Sequence, residues 1–282
     1  MFIGILKINK FNFCLIFICS GSLLFSQSDS LPSKLNSKKK SFYGIWGYNR
    51  AAYTTSTIHF KNKGTTNGIN EQGAYDFEIT DAKAHDSPDF DKIPDVINIT
   101  IPQFNFRIGM WLNNKNDEGF ELSYDHTKYV VSDGQTAHIK GNINGVSVNK
   151  DTLLERDNFH FEHTDGANFW MINYMKRNKI FYSKNNLIKL SYVLKPGFGI
   201  LIPRTDVTLF GKHLNNNWKL AGITAGLETA LRLDFYKHIV LEFSGKYGWA
   251  NYINCFVLGK GNGKASQQFG YIESVFCLGF QF

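Results

Sequence analysis

The sequence predicts an all-β protein, an eight-stranded antiparallel up-and-down transmembrane β-barrel, and three observations lead there. The chain is 43% hydrophobic and 15% aromatic, yet its mean hydropathy is -0.24, so apolar residues must alternate with polar ones. That average excludes a bundle of membrane-spanning helices, and the aromatic share excludes disorder. Period-two segments recur eight times after residue 41. The links between them are short on one side and long on the other, as in barrels whose loops face the cell exterior.

The first segment reads as a delivery signal. Lys7 and Lys10 precede an apolar run from Phe11 to Phe25, the length of a secretory signal core and short for a span. Ser26 supplies the small residue that cleavage needs, so residues 1–26 are expected to be a signal peptide and 27–40 a flexible periplasmic lead. Residues 41–282 form the barrel. Loss of Lys7 and Lys10 leaves 29 basic against 24 acidic residues. This modest excess suits an anionic lipid surface and is spread too evenly for a nucleic-acid site.

Strands are expected over about 42–60, 103–112, 118–132, 157–176, 187–200, 221–235, 238–252 and 267–282. In the second, Phe104, Phe106, Ile108, Met110 and Leu112 share one face; in the fifth, Ile188, Leu190, Tyr192, Leu194, Phe198 and Ile200 do. Links near 114–117, 177–185 and 236–238 are short. Those near 61–97, 133–156, 202–217 and 253–266 are long and polar, and are read as loops.

Eight strands enclose an interior that side chains can fill, so charges facing inward must pair. Centring the turn between the sixth and seventh strands on Lys237 sets Arg232 opposite Glu242, Glu228 opposite Lys246, Leu233 against Leu241 and Leu231 against Phe243. Centring the turn of the second and third on residue 116 sets Arg107 opposite Asp125 and Ile108 against Tyr124. If Phe282 closes near Ser41, Arg50 falls opposite Glu273. The same geometry separates Cys255 from Cys277 by most of the barrel height, beyond disulfide reach.

The final strand carries Ile272, Phe276, Leu278, Phe280 and Phe282 on one face and ends on that Phe. With the leader and the loop asymmetry, it resembles small Gram-negative outer-membrane β-barrels, similar in architecture to the OmpA/OmpW-type transmembrane barrels, over about residues 41–282. The runs Ile101–Arg107, Asp125–Tyr129 and Glu162–Gly166 look like one such family. The resemblance implies Sec-type export to the cell outer membrane, recognition of Phe282 by the barrel assembly machinery, and contact with outer-membrane lipid and lipopolysaccharide. It implies no activity.

Candidate chemistry lies at the outer rim. Glu162, His163 and Asp165 end the fourth strand, with Asp125 and His126 on the neighbouring third. A His beside a carboxylate is the raw material of a general base, so His163 is the candidate base, Asp165 or Asp125 its orienting acid, and His126 its neighbour. Some small outer-membrane barrels modify lipid A or phospholipid by acyl transfer or hydrolysis, but no serine is placed beside His163. The other reading makes both imidazoles rim hydrogen-bonders. The sequence contains no CxxC, HExxH, P-loop or GxSxG pattern, and no cofactor or metal is expected. Asp76, Glu78, Asp81, Asp86, Asp89, Asp91 and Asp95 make an acidic first loop without EF-hand spacing, read as solvated. Lys128, Lys140, Lys150, Arg204 and Lys212 are candidates for lipopolysaccharide phosphates, and Gly166 for a bend. A closed barrel with a structural or envelope-ligand role is therefore expected, ahead of a rim enzyme and of a soluble lipocalin-like barrel whose apolar faces would point inward. Oligomeric state stays open.

Overall fold

The computed structural model describes residues 40–64, 73–87, 103–112, 117–163, 165–261 and 263–282. The expected signal peptide and lead lie outside these residues except for Lys40, as do Asp89, Asp91 and Asp95. The elements are β1 (Ser41–Tyr53), β2 (Ser56–Asn62), β3 (Tyr75–Ala82), β4 (Ala84–His85), β5 (Phe104–Trp111), β6 (Glu118–Asp125), β7 (Tyr129–Val131), β8 (Thr136–Ile143) and β9 (Val146–Leu153). They continue with β10 (Phe159–His163), β11 (Phe169–Tyr182), β12 (Ile188–Leu201), β13 (Thr205–Leu209), β14 (Lys212–Asn215), β15 (Gly222–Phe235), β16 (Ile239–Phe256) and β17 (Lys264–Gln281).

Eight of these close a ring in the order β1-β5-β6-β11-β12-β15-β16-β17, and β17 pairs back onto β1. Every pairing is antiparallel. The apolar faces point outward: Ile108, Tyr192, Phe198 and Ile200 are exposed, as are Phe243, Ile272, Phe276 and Phe280. An exposed apolar coat of this extent needs lipid rather than water. The barrel is therefore a transmembrane one, and the lipocalin-like arrangement of inward apolar faces is excluded.

β16 and β17 are 18 residues each, whereas a tilted strand crosses a bilayer in about 9–11. Nearly half of this hairpin stands above the lipid. The face polarity changes where it emerges. On β17 the outward residues pass from Ile272, Phe276 and Leu278 to Gln268, Ser266 and Lys264, while the inward ones pass from Glu273 to Tyr271 and Phe269. The lower storey is apolar outside and charged inside; the upper storey is polar outside and apolar inside.

The upper storey is the main departure from expectation. The segments read as long polar loops hold strands. β17 continues through β2, β3, β8 and β9, while β14-β13-β10-β7-β4 form a second sheet. The two enclose one apolar core. Phe60 and Phe77 stack at 5.3 Å, and Phe60 meets Phe159 and Phe161 edge-on at 5.7 and 5.6 Å. The long first, third and fourth strands expected from sequence are each interrupted near the lipid border, between β1 and β2, β6 and β7, and β10 and β11.

The β15–β16 register sets Leu231 against Phe243 and Leu233 against Leu241, as the turn at Lys237 requires. β5–β6 is shifted by two residues: Arg107 faces Ser123, and Ile108 faces Leu122 rather than Tyr124. A two-residue shift keeps every side chain on its face. The closing pair is shifted by one, so Ala51 rather than Arg50 faces Glu273, and Asn49 points inward in Arg50's place. Arg50 instead lies 3.7 Å from Asp86. Cys255 and Cys277 are free; their ladder partners, Ala265 and Glu242, lie at opposite ends of the β16–β17 hairpin.

Candidate functional site

Two arrangements concentrate chemistry, one in each storey. Among the described residues, the ring holds five buried basic and six buried acidic side chains, linked in one ladder. From the end nearest the β15–β16 turn, Arg177 donates to Asp234 at 3.0 Å, Asp234 accepts from Arg232 at 3.0 Å, and Arg232 reaches Glu242 at 3.3 Å. Lys195 joins Glu242 at 2.5 Å, Glu121 at 2.9 Å and Glu228 at 3.4 Å. Arg107 then bridges Glu228 at 3.3 Å and Asp125 at 2.6 Å. Lys246 contacts Asp125, lies 3.5 Å from Glu228, and leads to Glu273 at 3.7 Å. Tyr43 donates to Glu121 at 2.5 Å, and its ring lies under the Arg232 guanidinium at 4.0 Å. Gly109 makes room for that ring, since a Cβ there would collide with it.

The structure thus brings Arg232 to Glu242, Glu228 to Lys246 and Arg107 to Asp125. The last contact is diagonal, because the two residues are not ladder partners. Lys195, Glu121, Asp234 and Arg177 were absent from the expected pairs, and Glu273, expected opposite Arg50, lies instead toward Lys246. Lys195 and Asp234 fall on the polar faces of the fifth and sixth expected strands, so the alternation already marked them; choosing partners across non-adjacent strands needs the closed ring.

Above the ladder, His163 is fully buried and stacks on Tyr252 at 4.6 Å. Gln267 Nε2 lies 3.3 Å from its Nε2 and Thr205 Oγ1 lies 3.4 Å from its Nδ1. Burial drives its pKa down to about 3, so it is neutral. Asp165 turns instead to Arg204, with which it forms an ion pair. His126 lies against Asn168 Oδ1 at 2.8 Å and stacks on Phe104 at 5.0 Å. Gly166 stands at φ +94°, and a Cβ on it would strike the His126 ring. A base, an orienting acid and a substrate path do not converge on His163 in this arrangement.

A different imidazole has carboxylates. On the other face of β10, His160 Nε2 lies 2.9 Å from Glu162 and its Nδ1 3.2 Å from Asp133, which also binds Arg156 at 3.3 Å. Burial disfavours the imidazolium, but the hydrogen bond and charge of Glu162, helped by Asp133, outweigh it and raise the His160 pKa. Glu162 faces Asp206 across the β10–β13 ladder, and Asp206 lies 2.6 Å from His213. Among the described residues no group of three His, Cys, Asp or Glu side chains is placed to hold a metal ion.

The acidic segment is divided among partners. Asp76 binds Lys61 at 2.5 Å and His59 at 2.6 Å, and these hydrogen bonds lower its pKa. Glu78 reaches Lys140 at 3.4 Å. Asp86 accepts from the Ala51 amide at 2.9 Å and binds Gln103; burial raises its pKa. Lys150 and Lys212 are exposed and Lys128 is largely buried.

No family model and no curated protein matches the chain. Among solved structures, it is similar to the attachment invasion locus protein Ail of Yersinia pestis, solved with the heparin analogue sucrose octasulfate. That match has 10% identity and a TM-score of 0.30, covering 86% of this chain and 99% of that one. It is also similar to the outer membrane protein OprG of Pseudomonas aeruginosa, at 10% identity and a TM-score of 0.37, covering 87% of this chain and 97% of that one.

Proposed function

We propose that the chain is an outer-membrane barrel of a Gram-negative cell, reached by Sec-type export, with a shut lumen and a structural or envelope-ligand-binding role. The observation that carries this reading is the inversion of face polarity along β16 and β17, which demands lipid around one storey and water around the other. The folded upper storey is then the surface presented outside the cell, and lipopolysaccharide surrounds its base. Phe282, at the end of the closing strand, is the element offered to the assembly machinery. His163 acts as a packed, neutral hydrogen-bonder rather than as a base.

Surface labelling tests the location and orientation. A membrane-impermeant maleimide on intact cells is expected to modify Lys150→Cys, on the upper storey, and to spare Lys237→Cys, in the turn between β15 and β16. Labelling of both, or of Lys237→Cys alone, overturns the placement. Mass spectrometry of lipid A from cells with and without the gene is expected to show one acyl pattern; a difference favours a rim enzyme.

A further inference from the structure

We propose that Lys219 and Lys264 form a binding site for the phosphate of an anionic membrane-lipid headgroup, with Trp218 and Leu220 set against the acyl chains of the same lipid. This rests on the outer-membrane reading and names one place where the lipid is held.

Lys219 lies between β14 and β15 on a segment tied to the barrel by its own amide, which donates to Pro203 O at 3.2 Å, and by the Ala221 amide, which donates to Leu201 O at 2.9 Å. Its neighbours Trp218 and Leu220 are 51% and 60% exposed. Ile223, at the start of β15, and Ile253, on β16, continue this surface into the apolar coat below. Trp and Leu held exposed beside such a coat match the border between acyl chains and headgroups. The site therefore belongs to a lipid rather than to free phosphate.

The charges sit directly above. Lys219 Nζ lies 4.2 Å from the centre of the Phe256 ring. Phe256 is the ladder partner of Lys264, which is in turn the partner of Lys61. Lys61 has Asp76 at 2.5 Å, whereas among the described residues neither Lys219 nor Lys264 has a carboxylate within salt-bridge distance. Both lysines are thus neighbours of Phe256, and like charges at a low-dielectric border repel one another and attract a dianion. Burial lowers Lys219's pKa and the Lys264 charge adds to that, against an opposing effect of Cys255. Beside Lys264, Asn251, Ser266 and Gln268 line an open polar groove suited to the hydroxyls of a sugar headgroup; its further lining includes Glu78 and Asp81, of which Glu78 is paired with Lys140.

The test uses the full chain refolded into phosphatidylcholine vesicles doped with bis-phosphorylated lipid A, and reads retained lipid by native mass spectrometry. Each lysine at an anionic surface is worth roughly fivefold in binding, so Lys219→Gln/Lys264→Gln is expected to retain lipid A about 30-fold less well. Lys219→Arg/Lys264→Arg is expected to bind as the parent does, and Lys237→Gln at the far turn to change nothing. Dephosphorylated lipid A is expected to bind the parent as weakly as lipid A binds the double Gln variant. Equal retention by parent and double Gln variant, equal retention of both lipids, or displacement by inorganic phosphate at matched concentration overturns the site. Heat-modifiable migration of the same samples separates the two failures: an inserted chain without phosphate preference overturns this site alone, and a chain that does not insert overturns the barrel reading.

Discussion

Lys195 is the residue on which the interior charge balance turns. One ammonium group contacts Glu121, Glu228 and Glu242, contributed by three different strands, in a place without access to water. Removing one partner of a buried ion pair costs about 3–5 kcal/mol, because the other charge stays buried and uncompensated. Lys195→Met is therefore expected to lower the unfolding free energy by about that amount in urea titrations followed by tryptophan fluorescence. Adding Glu242→Gln should recover part of the loss, since residues of one network couple. A loss below about 0.5 kcal/mol, the range of ordinary surface changes, would mean that the neighbouring carboxylates are not held as charges by Lys195. Gly166 is the second such position. At φ +94° with His126 in the path of a Cβ, Gly166→Ala should destabilise the upper storey by about 1–2 kcal/mol from backbone strain alone, measured the same way.

At the scale of elements, β10 turns Phe159, Phe161 and His163 into the upper core and His160 and Glu162 to its other face. His160 has its pKa raised in the fold, so the protonated imidazole is the form that stabilises it. That contribution is complete below the unfolded-state value and is lost as pH rises through the folded one. Deprotonation also leaves Glu162 facing Asp206 with less counter-charge. Amide exchange along β10 and β13 should therefore be faster at about pH 8 than at about pH 5 after correction for intrinsic rates, and His160→Gln should flatten the difference; a parent chain without it would remove His160 as the cause. This strand also shows what could be read in advance. The eight ring strands were legible because lipid imposes one apolar face over a long run. β3 and β13 were not, because their apolar residues face the opposite way from those of the lipid storey, in runs of five to eight residues. Taking polarity as uniform along a strand turns Phe77 and Val207 into loop residues. The Arg107–Asp125 contact survived a misplaced turn because the error was two residues, whereas a one-residue error put Arg50 on the wrong face. Similarly, His163 next to Asp165 suggested a rim site, yet His163 is buried in the upper core while the half-exposed Asp165 pairs with Arg204.

The whole molecule stacks two kinds of interior along one axis. The charged ladder lies inside the lipid-level ring of eight strands, an interior that side chains can fill. Above it Tyr129, Phe269 and Tyr252 pack face to face, with ring centres 4.5 and 5.8 Å apart, beneath the Phe60–Phe161 core. The two depend on different forces. The ladder is held by charge pairing and fails when a partner is removed; the aromatic layer is held by apolar burial, which losing a charge below does not touch. On the shut-lumen reading proposed above, they are independent barriers in series, and an ion must pass both. In planar bilayers the parent chain should show no resolved conductance steps. Lys195→Ala should also show none, despite its lost stability, because the aromatic layer stays closed. Tyr129→Ala/Phe269→Ala should likewise stay closed, since the ladder is intact below it. Steps should appear only when both sets of changes are combined in one chain. Conductance from either set alone would show that a single layer closes the barrel.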